Sequence, residues 1–283
     1  MAQSPYSIEK VYKEFNKIDG YFYEIMQNGA SSEYHNLFIN RYCPKRQNNA
    51  ICFYYHEMAR SGVINLLENL EKYNLEYDKL AEYAILFLSY KLKQHSQYKS
   101  TNLNTFYTKY IVNNNDDYSK NIKFNGLTCK EIIEKKKDLM NMNINEISKF
   151  NEAFNILCKL YNEINKSNMD CNKCSNDANE FVQNFEELNN DSNINGNTSY
   201  IKLLFTLSDD YNNLKNKCAD FPPLPKIKTP PSKLIPVLSI FSVIPVFMGI
   251  AYKYSLFGVD KLFQRQYIRK KLKKVKKKLK LNI

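Results

Sequence analysis

LIPVLSIFSVIPVFMGIAY, residues 234–252, runs for nineteen positions without a charge between Lys233 and Lys253. A helix over this stretch rises about 28 Å, close to the hydrocarbon thickness of a bilayer. Pro236 and Pro245 would break a helix in water, but inside a membrane neighbouring groups re-satisfy the freed carbonyls. The stretch reads as a single transmembrane helix. Every other segment takes its meaning from the side of that span on which it lies.

On the C-terminal side, residues 253–283 carry twelve Lys/Arg and one acid, Asp260, a balance of +11 within a chain whose formal charge is +12. Residues 1–252 are therefore nearly neutral. The positive-inside rule holds such a tail in the cytosol and places the large N-terminal part outside it. Leu272, Val275 and Leu279 share one helical face, surrounded by Lys270, Lys271, Lys273, Lys274, Lys276, Lys277 and Lys278. A basic amphipathic helix beside a membrane is expected to contact anionic lipid headgroups. Its position directly after the span argues against the competing reading, nucleic-acid binding.

On the N-terminal side the span is preceded by FPPLPKIKTPPSK, residues 221–233, which reads as an extended, semi-rigid spacer of polyproline character, with residues 222–233 as the linker. Residues 1–221 form the ectodomain in this reading. They contain only Pro5 and Pro44, and the whole chain has seven Gly, too few breakers for a sandwich or barrel. The expected fold is all-α: a helical ectodomain followed by one C-terminal transmembrane helix and a short basic tail. MAQSPYSIEKVYKEF at the N-terminus lacks the apolar core of a signal peptide, so the span itself is the expected route into the secretory system.

Within the ectodomain, Ser7 is expected to cap a helix reaching about Gln27, with Val11, Phe15, Ile18 and Phe22 in phase and Gly29 as its stop. A loop around Cys43-Pro44 precedes a helix from Ile51 to about Tyr73. Asp78 is expected to cap a third, striped by Leu80, Ala84, Phe87, Leu88 and Leu92. Shorter helices are expected at Leu103–Val112 and at Cys129–Met140, the latter behind a Thr128/Glu131 capping box. A long helix follows from Asn145 to about Lys166, then one from the CNKC motif to about Leu188. A polar loop spans Asn189 to Thr198, and Ser199 is expected to cap the last ectodomain helix.

Catalysis finds no foothold. His35, His56 and His95 lie outside any nucleophile or carboxylate motif, and neither HExxH nor a phosphate-cradling glycine pattern occurs. No cofactor is expected. Seven cysteines, at 43, 52, 129, 158, 171, 174 and 218, all precede the span. That asymmetry suits a disulfide-bonded exterior domain with one thiol left over. Cys171-x-x-Cys174 is a single CxxC, short of the four ligands a structural zinc needs. The disulfide candidates are Cys43, Cys52, Cys158, Cys171, Cys174 and Cys218, the last four expected to form one cluster with its pairing open. Asn165, Asn190 and Asn197 head glycosylation sequons.

Several phrases carry a resemblance: LFLSYKLKQ (86–94), LNTFYTKYI (103–111), EIIEKKKDLMNMNINEISKFNEAFNILCKLYNEI (131–164), CNKCSNDANEFVQNFEELNND (171–191) and LLFTLSDDYNNLKNKC (203–218), followed by the span and its basic tail. In order and content they resemble the Plasmodium interspersed repeat (PIR) family of variant antigens, in particular members from rodent parasites. Two positions depart from it. Tyr12 stands where the family often has a Cys early in the first helix, and Cys129 matches no family cysteine, so disulfide connectivity does not transfer whole. The resemblance implies a non-enzymatic antigen on a single span at the parasite or infected-red-cell surface, serving antigenic variation, immune evasion and contact with a host-cell surface protein. The competing class is an intracellular membrane-anchored scaffold or trafficking protein facing the cytosol. The absent signal peptide and the late span favour that alternative, whereas the charge asymmetry and one-sided cysteines favour the exterior antigen.

Overall fold

Ile8, Val11, Tyr12, Phe15 and Ile18 follow one another at helical spacing and are all buried in the first helix, α1 (Ile8–Asp19), of a computed structural model. The structure describes residues 7–113, 121–164 and 171–228. The stretch 234–252, the basic tail with its lysine cluster, and Asn165 lie outside the described residues. Among those residues no helix is long and apolar enough to cross a membrane.

After α1 come strands β1 (Phe22–Gln27) and β2 (Ala30–His35), and a 3₁₀ turn at Leu37–Tyr42. Two-residue strands β3 (Lys45–Arg46) and β4 (Asn49–Ala50) precede α2 (Tyr55–Glu71) and α3 (Tyr77–Gln94). α4 (Leu103–Tyr107) runs into a π-helical turn at Thr108–Val112, and β5 (Lys123–Phe124) and β6 (Leu127–Thr128) lead into α5 (Cys129–Glu134). α6 (Ile144–Ile164), α7 (Ser175–Asn190), α8 (Ser192–Asn195) and α9 (Thr198–Lys215) complete the described chain. The molecule is predominantly helical, as the breaker-poor sequence indicates.

α3 sits at the centre and packs on α2, α5 and α6, while α1 packs on α2 and α6, and α6 on α7 and α9. The residues of α3 from Leu80 to Ser89 are all buried, including Ala81 and Ala84. Small side chains there let neighbouring helices approach on several sides, and a helix apolar around most of its circumference must lie inside a bundle. The polar groups that enter this core are partnered. Asp210 on α9 accepts from Tyr12 (2.9 Å) and from Tyr83 (3.0 Å), and its own carbonyl accepts from Tyr161 (2.7 Å). One residue thus joins four helices: its carboxyl ties α1 and α3 to α9, and its backbone carbonyl ties α6. Nearby, Lys136 bridges Asp78 (3.1 Å) and Glu82 (2.8 Å), and Glu82 also accepts from Thr206.

Two helix starts move by a few residues, α2 to Tyr55 instead of Ile51 and α3 to Tyr77 behind Glu76 instead of Asp78. Besides these, four details differ from the sequence reading. The first helix ends at Asp19 rather than near Gln27, because Asn28 (φ 51°) and Gly29 (φ 79°) form a two-residue hairpin turn. Both residues have the positive φ that a type I′ turn requires, so Gly29 reverses a strand instead of stopping a helix. The helix expected over Cys129–Met140 opens on its capping box, with the Thr128 N–H donating to Glu131 at 2.8 Å. It breaks after Glu134, where Lys136 turns inward to its two carboxylates, and resumes as a 3₁₀ turn at Lys137–Asn141. Asn197, not Ser199, caps α9, its side chain accepting from the N–H groups of Ser199 and Tyr200. Ser199 instead donates to Asp138.

The fourth difference concerns the proline segment. Phe221 is buried, and Leu224 and Ile227 pack against the core. Asn189 donates to the carbonyl of Lys226 (2.9 Å) and accepts from the N–H of Lys228 (2.7 Å). Residues 222–228 are therefore part of the domain surface rather than a free spacer, because their apolar side chains and backbone groups find partners on α7 and α9.

Candidate interaction surface

The C-terminal end of α3 holds the β1–β2 hairpin in place. Lys91 is fully buried, and its ammonium spends its three protons on the Asp19 carboxylate (2.6 Å), the Asp19 carbonyl (3.2 Å) and the Phe22 carbonyl (2.7 Å). Burial depresses its pKa, while Asp19 favours its charged form. This one side chain joins the end of α1 and the start of β1 to α3. The Lys91 carbonyl, one of the last-turn acceptors that a helix leaves without an internal donor, is taken by Tyr55 Oη at 2.7 Å.

Farther along the hairpin, Glu24 and Glu33 face each other across the strands, an arrangement that repels unless each carboxylate is satisfied. Glu24 accepts from the Ser96 N–H (2.7 Å), the Ser96 hydroxyl and the Ser31 hydroxyl. Burial opposes its ionisation, but these donors outweigh it and lower its pKa to about 2. Glu33 meets Nε2 of His95 at 3.2 Å. His95 Nδ1 accepts from the Gln97 N–H, so the neutral tautomer consistent with both contacts carries its proton on Nε2.

The surface this scaffold presents is unusually apolar. Among the described residues, large exposed hydrophobic side chains are Tyr23, Met26, Tyr34, Leu37, Phe38, Phe53, Tyr54 and Phe205. All but Phe205 fall between residues 23 and 54. Leu37 is 84% exposed and Phe38 70%, so neither contributes to the core. Tyr23 stacks on its cross-strand partner Tyr34 (4.7 Å between ring centres), Tyr21 on Phe38 (5.5 Å), and the Arg46 guanidinium lies 4.3 Å from the centre of the Phe53 ring. Arg46 is held in turn by Glu57. A groove runs beside β2, lined by Ser31, Glu33, His35, Phe53, Tyr54 and Met58 with His95. Exposed aromatic rings on a rigid base are the usual anchors of protein recognition.

The cysteines staple two other places. Cys43 is bonded to Cys52, closing the loop before α2, and Cys171 to Cys218, tying the start of α7 to the end of α9. Cys158 departs from the expected cluster: it is a buried thiol on α6, beside the Tyr12–Asp210 network. Burial pushes it, and Cys129 (up to about 12), away from the thiolate form, so neither is a poised nucleophile. Cys174 is buried and takes part in neither of these two bridges. Among the described residues no three His, Cys, Asp or Glu side chains gather as metal ligands. His56 stacks on Tyr54 and Tyr110. Of the two described sequon asparagines, Asn190 is exposed, while the Asn197 side chain is engaged as the α9 cap.

A family model described as Plasmodium variant antigen protein Cir/Yir/Bir matches residues 12–253, which is most of the chain. The chain belongs to this Plasmodium variant antigen family. A solved Plasmodium PIR protein ectodomain is similar to it at 32% identity and a TM-score of 0.60, over 78% of this chain and 99% of that one. No curated protein matches. The fold of this Cir/Yir/Bir chain is thus that of a PIR ectodomain. The sequence hides the hairpin face because β1 reads as the end of the first helix, while residues 30–35 carry no periodic signal of their own. The signal that finds it is Asn28-Gly29 directly after the aromatic-rich run Tyr21–Met26, with Tyr34 on the far side of the turn.

Proposed function

We propose that this protein is a non-enzymatic surface antigen displayed on the parasite or the infected red cell, and that residues 23–54 form the face it turns toward host molecules. The concentration of exposed aromatic and aliphatic side chains on a clamped hairpin and on the segments after it, at Leu37–Phe38 and Phe53–Tyr54, is the observation that carries the reading. A solvated surface with no binding role does not gather Leu37, Phe38, Phe53 and Tyr54 in one short stretch of chain. Membership of a variant antigen family supports immune evasion as the selective purpose of display.

In this reading Leu234–Tyr252 spans the membrane once, and the tail stays in the cytosol with Lys270, Lys271, Lys273, Lys274, Lys276, Lys277 and Lys278 on anionic headgroups. Each lysine near such a surface contributes on the order of 1 kcal/mol, attenuated by salt.

Display is tested on intact infected red cells with an antibody raised against the native domain. Staining before permeabilisation, abolished by external protease, is the expected result. Staining only after both parasite and host membranes are opened would instead favour the cytosol-facing scaffold.

A further inference from the structure

The two edges of the hairpin are not equivalent. The Asn36 N–H donates to the Tyr21 carbonyl at 2.9 Å, which marks Tyr21 and Asn36 as a hydrogen-bonded pair. Alternation along an antiparallel ladder then makes Tyr23/Tyr34, Ile25/Ser32 and Gln27/Ala30 hydrogen-bonded pairs as well. The backbone N–H and C=O groups of Ser31, Glu33 and His35 consequently point away from β1. The strand β1 is covered at its base, where Lys91 takes the Phe22 carbonyl. The outward backbone groups of β2 make no hydrogen bond to any described residue, and they border the groove whose other wall is Phe53, Tyr54 and Met58.

We infer that this groove binds an extended polypeptide segment of a partner protein, which adds to β2 as a third strand. Unpaired strand-edge groups supply main-chain affinity in such complexes, and side chains at alternate positions supply selectivity. Here the selectivity is readable. The exposed rings of Phe53 and Tyr54, backed by buried Met58, form an apolar wall suited to a Leu, Ile, Val or aromatic side chain. Glu33 keeps Oε2 without a described partner while Oε1 meets His95. No Lys or Arg is among the described lining residues, and the Arg46 stacked on Phe53 is paired with Glu57. The complementary segment carries Lys or Arg opposite Glu33 and apolar side chains against Phe53 and Tyr54. This inference rests on the reading of residues 23–54 as the host-facing surface, and it names the site and partner chemistry within it.

The test uses the purified full chain and a displayed library of random linear peptides about seven residues long, the length of a typical strand. Selected peptides, made synthetically, are expected to alternate apolar residues with Lys or Arg. Methylating the peptide backbone nitrogens one at a time gives the decisive pattern. Methylation at every second position weakens binding roughly tenfold or more, because an edge hydrogen bond is lost, while the intervening positions tolerate it. Hydrogen exchange slows at the Ser31, Glu33 and His35 amides, and Phe53→Ser, an exposed substitution, lowers affinity without unfolding the domain. A flat methylation profile, protection elsewhere on the domain, or a library that yields no peptide overturns the inference. Binding by the purified chain does not depend on which membrane carries it, so a peptide result and the surface-staining result fail separately.

Discussion

Replacing Cys171 and Cys218 together by alanine lowers the unfolding free energy by about 4 kcal/mol, measured by urea denaturation under non-reducing conditions. The bond closes a loop with a sequence separation of 47, and a cross-link of that length removes about 4 kcal/mol of chain entropy from the unfolded state. It also fixes the two ends of the α7–α9 segment, on which Asn189 and Tyr211 hold the proline stretch. The Cys43–Cys52 bond spans a separation of 9 and accounts for a smaller share, about 2.6 kcal/mol in the same treatment. Replacing Cys158 by serine tests the complementary point. As a buried thiol it leaves both disulfides intact on non-reducing mass analysis.

Asp210→Ala destabilises the domain by about 3 kcal/mol or more, because it strands the buried hydroxyls of Tyr12 and Tyr83 and opens a void between α1, α3 and α9. Asp210→Asn preserves shape and one acceptor oxygen, and costs less. The informative comparison is with pH. Burial raises the Asp210 pKa from 3.8 to about 7, against the opposing effects of Lys79 and the two tyrosine hydroxyls. The folded state therefore holds this proton more tightly than the unfolded state does. The stability it contributes is fully present below pH 3.8, falls as pH rises toward about 7, and levels off above that. The span corresponds to a contribution on the order of 4 kcal/mol. Glu24, whose pKa is lowered to about 2, acts in the opposite sense: its contribution is present above about pH 4.5 and is lost as pH falls through 2. Subtracting the Asp210→Asn stability curve from that of the unaltered chain isolates the aspartate, and the difference should decline from pH 4 to 7. A flat difference would show that Asp210 is ionised in the folded state.

These two sites also mark where the sequence stops being legible. α1 and α3 could be read because apolar residues three and four apart face one core, and the α5 start because Thr128 and Glu131 form a local capping pair. The hairpin is obscured by Phe22, Ile25 and Met26, which satisfy helical spacing, whereas on a strand only Phe22 and Met26 share a face. Only the Asn-Gly turn separates the two readings. In LFLSYKLKQ, Lys91 and Lys93 look alike, yet packing buries the first on three oxygens and leaves the second to Ser148 at an exposed contact. Asp209 and Asp210 are adjacent acids, of which one faces Tyr12 and Tyr83. The disulfide pairing is a long-range property: Cys171 meets Cys218, 47 positions away, rather than Cys158, because the C-terminal end of α9 returns to the start of α7.

The account depends most on a disulfide-stapled antigen domain that folds outside the cytosol, and its oxidation state in the parasite tests this directly. Infected red cells are alkylated before lysis, and the chain is recovered and mapped by mass spectrometry without reduction. The expected result is Cys43 joined to Cys52 and Cys171 to Cys218, with Cys129 and Cys158 recovered as alkylated thiols after denaturation. Recovery of Cys43, Cys52, Cys171 and Cys218 as thiols would contradict it.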